Sequence, residues 1–134
     1  MSSTRDTTFH LAIAARELAA AEHFYCALLG CPAVRRYPDR LTIDFFGEQL
    51  VCHLAADEPR REPTLYPRHF GVTFRNRSDF DCLLRLIEIR GVPLFSKPCQ
   101  RFAGGVEEHW TVVLRDPSDN LLEFKHYIDP RMTY

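Results

Sequence analysis

Four absences narrow this sequence before anything in it is read. No stretch approaches the run of about 18 apolar residues that a membrane helix needs, so the membrane is not an expected partner. The start of the chain, MSSTRDTTFH, is polar and runs straight into a patterned segment, with none of the apolar core of a secretory signal. A cytoplasmic protein is therefore expected. Charge of one sign is missing as well. The 17 Lys and Arg stand against 18 Asp and Glu, and no basic block is dense enough to follow a phosphate backbone, which removes nucleic acid from the expected partners. Finally, the five cysteines (Cys26, Cys31, Cys52, Cys82, Cys99) are odd in number and contain no C-x-x-C pair. Neither a disulfide framework nor a zinc knuckle follows, and reduced, mostly buried thiols are expected.

What is present is a globular composition, 46% apolar and 26% charged, in 134 residues. That length supplies one sizeable core, so residues 1–134 read as a single domain. Within it the chain repeats itself. HLAIA at His10 to Ala14 and HFGVT at His69 to Thr73 both read as strands of alternating character. After the first comes an amphipathic stretch with Leu18, Ala21, Tyr25 and Leu28 at helical spacing, closed by Gly30 and Pro32. After the second come Ser78-x-x-Asp81, a capping-box pattern, and then Phe80, Leu83, Leu84 and Ile87, closed by Gly91 and Pro93.

Each half then turns to short strands. In the first half these fall near Val34 to Tyr37, Leu41 to Phe46 and Gln49 to Leu54, with Gly47-Glu48 as the hairpin turn. In the second they are Val92 to Ser96, Trp110 to Arg115 and Leu121 to Lys125, with Asp116-Pro117-Ser118-Asp119 as the turn. The expected fold is α+β: two βαβββ modules, about 8–55 and 68–127, forming a cupped mixed sheet with helices on its outer face. A charged, proline-containing connection, 56–67, joins them. Lys97 to Glu108 is an insertion found only in the second half, and its Gly104 and Gly105 suggest a mobile lid or rim loop.

Alternation along a strand lets the two faces be compared, because residues two apart share a side. His10, Ala12 and Ala14 lie opposite Phe9, Leu11 and Ile13, while His69, Gly71 and Thr73 lie opposite Phe70, Val72 and Phe74. Both strands place a histidine among small residues and the bulky apolar groups behind it, a shape suited to enclosing a ligand. In the last strand Glu123, between Leu122 and Phe124, points the same way. Two neutral imidazoles and a carboxylate with positions left open suit Fe(II), and with other details Mn, Ni or Zn. A divalent ion on His10, His69 and Glu123 is the expectation. Any one of these residues alone would read as an ordinary strand residue; it is their coincidence at matched places that points to a site.

Four features together resemble the vicinal oxygen chelate superfamily, the group of glyoxalase I, type I extradiol dioxygenases, fosfomycin-resistance proteins and bleomycin-binding proteins. They are His10 on the first strand, HFYCALLGCP from His23 to Pro32, His69 opening the second half, and RDPSDNLLEF from Arg115 to Phe124. They span nearly the whole chain, and the last is the most specific, since the family's acidic ligand follows a D-P-x-G-N turn. Asp119 stands where glycine is usual, a mild departure because Asp tolerates a left-handed turn. The resemblance implies the two-module fold and a small-molecule substrate. It also implies a dimer, with the ligands drawn from one subunit or from two.

Within that family a His, His, Glu set is similar to the extradiol and fosfomycin enzymes. Glyoxalase I adds a carboxylate on the fourth strand, and Gln49 to Leu54 carries none. His53 matches the place of an acid/base histidine in extradiol enzymes. Aligning Gln49 with Asn120 nevertheless sets Cys52, not His53, opposite Glu123, and a one-residue difference between the hairpins would reverse this. His53 thus stays open between catalyst and structural residue. Val113 occupies the place of a substrate-binding tyrosine in those enzymes. His109 and Trp110 read as ordinary strand residues or as lining of a pocket mouth. His126 reads as structural and His23 as a surface residue, and Arg101 and Phe102 would meet an anionic aromatic substrate or solvent. The leading functional expectation is an Fe(II) extradiol-type dioxygenase acting on a catechol-like substrate. The alternatives are a glyoxalase-type lyase, isomerase, epimerase or thiol transferase, and a binding protein without chemistry.

Overall fold

The computed structural model describes residues 5–134. They form two compact units that divide between Arg60 and Arg61, inside the charged connection. None of their helices is long and apolar enough to cross a membrane.

The first unit runs β1 (His10–Ala15), α1 (Leu18–Glu22), a π-helical continuation (His23–Leu28), β2 (Ala33–Tyr37), β3 (Arg40–Phe45) and β4 (Glu48–Leu54). Its sheet has the order β1-β4-β3-β2, with β1 parallel to β4 and the rest antiparallel. The expected first helix is present but widens halfway, with Leu29 N–H donating to the carbonyl of Phe24 five residues back. A wider turn shifts the buried series by one residue. Leu18, Ala21, Phe24, Tyr25 and Leu29 are therefore inside, while Leu28, expected there, is only half-buried. Phe24 and Tyr25, both fully covered, meet edge to face at 4.8 Å. Burying each ring contributes on the order of 2–3 kcal/mol. Gly30 ends the helix at φ +81°, a conformation glycine adopts without strain, as its place after the helix predicts. The hairpin turn is Phe46-Gly47, with φ of 53° and 89°, and not the expected Gly47-Glu48. Two positive φ values match the strand twist, which places glycine second in the turn.

The second unit runs α2 (Arg77–Arg90), β5 (Leu94–Arg101), β6 (His109–Arg115), β7 (Leu121–Tyr127) and a closing 3-10 turn (Pro130–Thr133). The segment expected as its opening strand lies parallel beside β7 through bridges Phe70 to Leu122 and Thr73 to Lys125. Adding it to the order β5-β6-β7 reproduces the strand order of the first unit, so the repeat read from the sequence is a repeat of topology. Helix α2 starts after Asn76 rather than at a Ser78 capping box. Ser78 is already helical, and Arg77 pairs with Asp81 at 2.9 Å one turn on. It buries Phe80, Leu83 and Ile87 and ends at Gly91 (φ +64°).

The insertion is half strand. Residues 97–101 extend β5, and the remaining turn is tied by Gly105 N–H to the Phe102 carbonyl and by Gly104 N–H to the Glu108 carboxylate, with Gln100 on the other oxygen. It is a hydrogen-bonded hairpin end. The cysteines are also less buried than expected. Cys31 and Cys52 are inside, Cys26 is half-buried, and Cys82 and Cys99 are exposed. Burial, reinforced by Cys26 and Asp44, pushes the Cys31 thiol up to about 12.

Candidate metal centre

The face of the second sheet turned away from α2 can be followed strand by strand. Pairing of β6 with β7 sets Val113 opposite Glu123, Thr111 opposite Lys125, and His109 opposite Tyr127, and paired residues share a side. The other side carries Val112, Leu114, Leu122 and Phe124, all fully buried, with Phe74 stacked on Phe124 at 6.1 Å. Glu123 thus stands on the side expected from its apolar neighbours.

Glu123 is 6% exposed, and both of its oxygens are held. Thr111 Oγ1 donates to Oε2 at 2.6 Å. His69 Nε2 lies 3.2 Å from Oε1. The His69 ring is fixed from behind, because Nδ1 donates to the Leu65 carbonyl at 2.6 Å, and a carbonyl can only accept. In a neutral ring the proton is then on Nδ1, so Nε2 turns a lone pair toward a carboxylate oxygen. Two electron pairs at that distance need a cation or a proton between them. A separation near 3 Å is also about what two donors at roughly 2.1 Å from one ion, set about 90° apart, would show. The backing carbonyl and the threonine hydroxyl are the kind of partners that orient metal-bound groups. The donor set therefore fits a divalent ion at two positions.

Gly71 is what lets the segment carrying His69 come this close. A Cβ at Gly71 would sit 1.7 Å from the Glu123 carbonyl oxygen, and Glu123 N–H donates to the Phe70 carbonyl at 2.8 Å. No other residue type fits there without moving one of the two segments.

His10 stands in the first unit, exposed at the start of β1 and opposite Gln49. The register settles what sequence parity left open. With His10 matched to His69, the position of Glu123 is taken by Val51, not Cys52, because Ala12 pairs with Val51 as Gly71 stands beside Glu123. Cys52 is fully buried with Leu50 on the helix side. His53 shares the face of Val51 and His10 and pairs with Ala14, about 13 Å along the strand from His10 at roughly 3.3 Å per residue. The structure therefore brings His69 and Glu123 together, with His10 and His53 on one face of the first sheet. Among the described residues, no three His, Cys, Asp or Glu side chains gather into a cluster that could hold a metal.

The other candidates separate cleanly. His126 donates from Nδ1 to the Phe74 carbonyl at 2.9 Å and is structural, while Trp110 lies on the same helix side under the Arg77 guanidinium. His109 is buried, with Nδ1 on the Glu107 carbonyl and its ring 4.8 Å from that of Tyr127. His23 is an exposed residue of the π-helical segment. Asp119 adopts φ +68° in a turn that Asp116 closes by accepting from Ser118 N–H and Asn120 N–H. Sequence reasoning missed Thr111, Lys125 and Tyr127. Lys125 and Tyr127 were open to the same alternation that found Glu123, whereas Thr111 needs the register of β6 against β7.

With this geometry in view, comparison with known proteins gives consistent matches. The family model described as the glyoxalase/bleomycin resistance protein/dioxygenase superfamily matches residues 7–124. A glyoxalase/bleomycin resistance protein/dioxygenase from Alicyclobacillus acidocaldarius is 54% identical, with TM-score 0.94 over 99% of this chain and 100% of that one. A lactoylglutathione lyase from Agrobacterium tumefaciens is 21% identical, with TM-score 0.66 over 92% and 95%. A genomically encoded fosfomycin resistance protein, FosX, from Listeria monocytogenes is 14% identical, with TM-score 0.67 over 92% and 94%. The last two share the fold. No curated protein sequence matches the chain.

Proposed function

Because the chain belongs to the glyoxalase/bleomycin resistance protein/dioxygenase superfamily, we propose that it is a metal-dependent enzyme for a small substrate with two vicinal oxygens, and that its reaction is extradiol-type ring cleavage. The observation that carries this reading is the His69–Glu123 pair, an imidazole Nε2 facing a buried carboxylate at 3.2 Å with both groups held from behind. His10 is the third ligand, supplied by the same chain or by a second copy in a homodimer. These three residues would hold a divalent ion, Fe(II) in first place and Mn, Ni or Zn otherwise, which when bound supplies Lewis-acid polarisation of the substrate oxygens and open positions for oxygen chemistry.

The residues themselves do the rest. Thr111 keeps Oε2 of Glu123 occupied, so that the carboxylate presents one oxygen. His53, on the face shared by Val51 and His10, would be the group that exchanges a proton with the substrate. Val51 in place of a second carboxylate weighs against the lyase and isomerase reading, which needs a carboxylate base beside the substrate carbon. The paired ligand chemistry weighs against a pure binding role.

The test is an aerobic assay of Fe(II)-loaded protein against a panel of catechols. Oxygen uptake with ring-cleavage absorbance is expected. Silence across the panel removes the dioxygenase assignment, and turnover of a carbonyl or epoxide substrate by the Ni or Zn protein without oxygen replaces it with the lyase or transferase class. Retention of a small ligand by His69→Ala, with no ion bound by the parent protein, would indicate a binding protein.

A further inference from the structure

We propose that Lys125 and Tyr127 form an anion subsite on the face of Glu123, so that the substrate carries an acidic group, a carboxylate or similar oxyanion, opposite its chelating oxygens. The chelating end of this inference rests on the metal reading above; the anion subsite does not. Glu123, Lys125 and Tyr127 alternate along β7 and so share a side, and the Thr111 hydroxyl on Glu123 marks that side as the one bearing the metal pair.

Lys125 is half-buried, yet among the described residues no carboxylate lies within ion-pair distance of its ammonium. The nearest acid on its own strand, Glu123, has its two oxygens on His69 and Thr111. A cation partly withdrawn from water without a counter-ion is costly, and an incoming anion removes that cost. The ammonium gives one hydrogen to Tyr127 Oη at 3.2 Å, which leaves two for a ligand. The Tyr127 hydroxyl then has its own hydrogen to donate. Its ring is wedged against His109, which the Glu107 carbonyl fixes, so the phenol is a positioned donor rather than a mobile one. Arg101 pairs with His109 at the end of the same row and adds a second positive charge to this end of the face. Two strand residues, about 6–7 Å, separate Lys125 from Glu123, which suits a single ring with vicinal oxygens at one edge and an acidic substituent at the other.

The experiment is calorimetric binding of 3,4-dihydroxybenzoate and of its methyl ester, measured anaerobically on the metal-loaded and metal-free protein. The two probes share the diol and differ only in the charge. The wild type is expected to bind the carboxylate at least about tenfold more tightly than the ester, as a charge-assisted contact implies. In Lys125→Met the ratio should fall to within about twofold of one with ester affinity and metal content unchanged. Lys125→Arg should keep a preference for the carboxylate, and Tyr127→Phe should weaken it severalfold. Equal affinities in the wild type, no detectable binding of either probe, or an undiminished preference in Lys125→Met would overturn the subsite. Failure of the metal reading shows elsewhere, as absence of bound ion. In that case the metal-free protein must still prefer the carboxylate through Lys125.

Discussion

The two βαβββ units share a strand order and differ where chemistry would sit. In the first, the position beside the opening strand is Val51 and the strand residue next to it is Ala12. In the second, the same places hold Glu123 and Gly71. A Cβ is accommodated at Ala12 and would collide with the Glu123 backbone at Gly71. The histidines differ in the same sense. Both are exposed, but His69 donates to the Leu65 carbonyl and faces a carboxylate, whereas His10, among the described residues, has no side-chain hydrogen bond or ion pair. Duplication of a scaffold has therefore not duplicated the site. In the second unit a histidine and a carboxylate meet, each held by a further hydrogen bond, and in the first the matching histidine has a valine in the carboxylate's place.

Five substitutions would break or sharpen that comparison. His53→Gln should have the largest effect, lowering kcat about 10²- to 10⁴-fold in a steady-state assay with metal content unchanged, if the first unit contributes proton transfer. Thr111→Val removes the hydroxyl that holds Glu123 and should weaken metal affinity about 10- to 100-fold in a chelator-competition titration. Gly71→Ala must part the segment from β7 and should destabilise the fold by about 2 kcal/mol or more in urea unfolding, while Ala12→Gly at the matching place should cost about 1 kcal/mol. Val51→Glu supplies the missing carboxylate to the first unit. It should tighten zinc binding modestly, by about tenfold, and no change would mean that the face of Val51 does not reach the ion.

Much of this was legible before the structure. Two histidines opening two similar segments, and a glutamate between Leu122 and Phe124, located the ligand candidates because period-two alternation needs no tertiary information. Gly30 and Gly91 marked both helix ends for the same local reason. What escaped depends on contacts between strands. That Val51 holds the position in the first unit equivalent to Glu123 follows from ladder register, which a single turn residue shifts, and the turn proved to be Phe46-Gly47. The hydroxyl of Thr111 on Glu123 crosses from β6 to β7, and the widening of the first helix, which buries both Phe24 and Tyr25, has no mark in the apolar spacing. The glycines of the insertion mark its turn, but the Glu108 carboxylate that accepts from Gly104 N–H was not legible from them.

The proposal most open to test is that His10, of the same chain or of a second copy, joins His69 and Glu123 in holding one divalent ion. Metal analysis of the purified protein, beside His10→Ala, His69→Ala and Glu123→Gln prepared identically, tests it most directly. The account predicts one divalent ion per chain in the parent protein and its loss from all three variants. An ion retained in full by His10→Ala, or no ion in the parent protein under any of the Fe, Mn, Ni or Zn loadings, would contradict it.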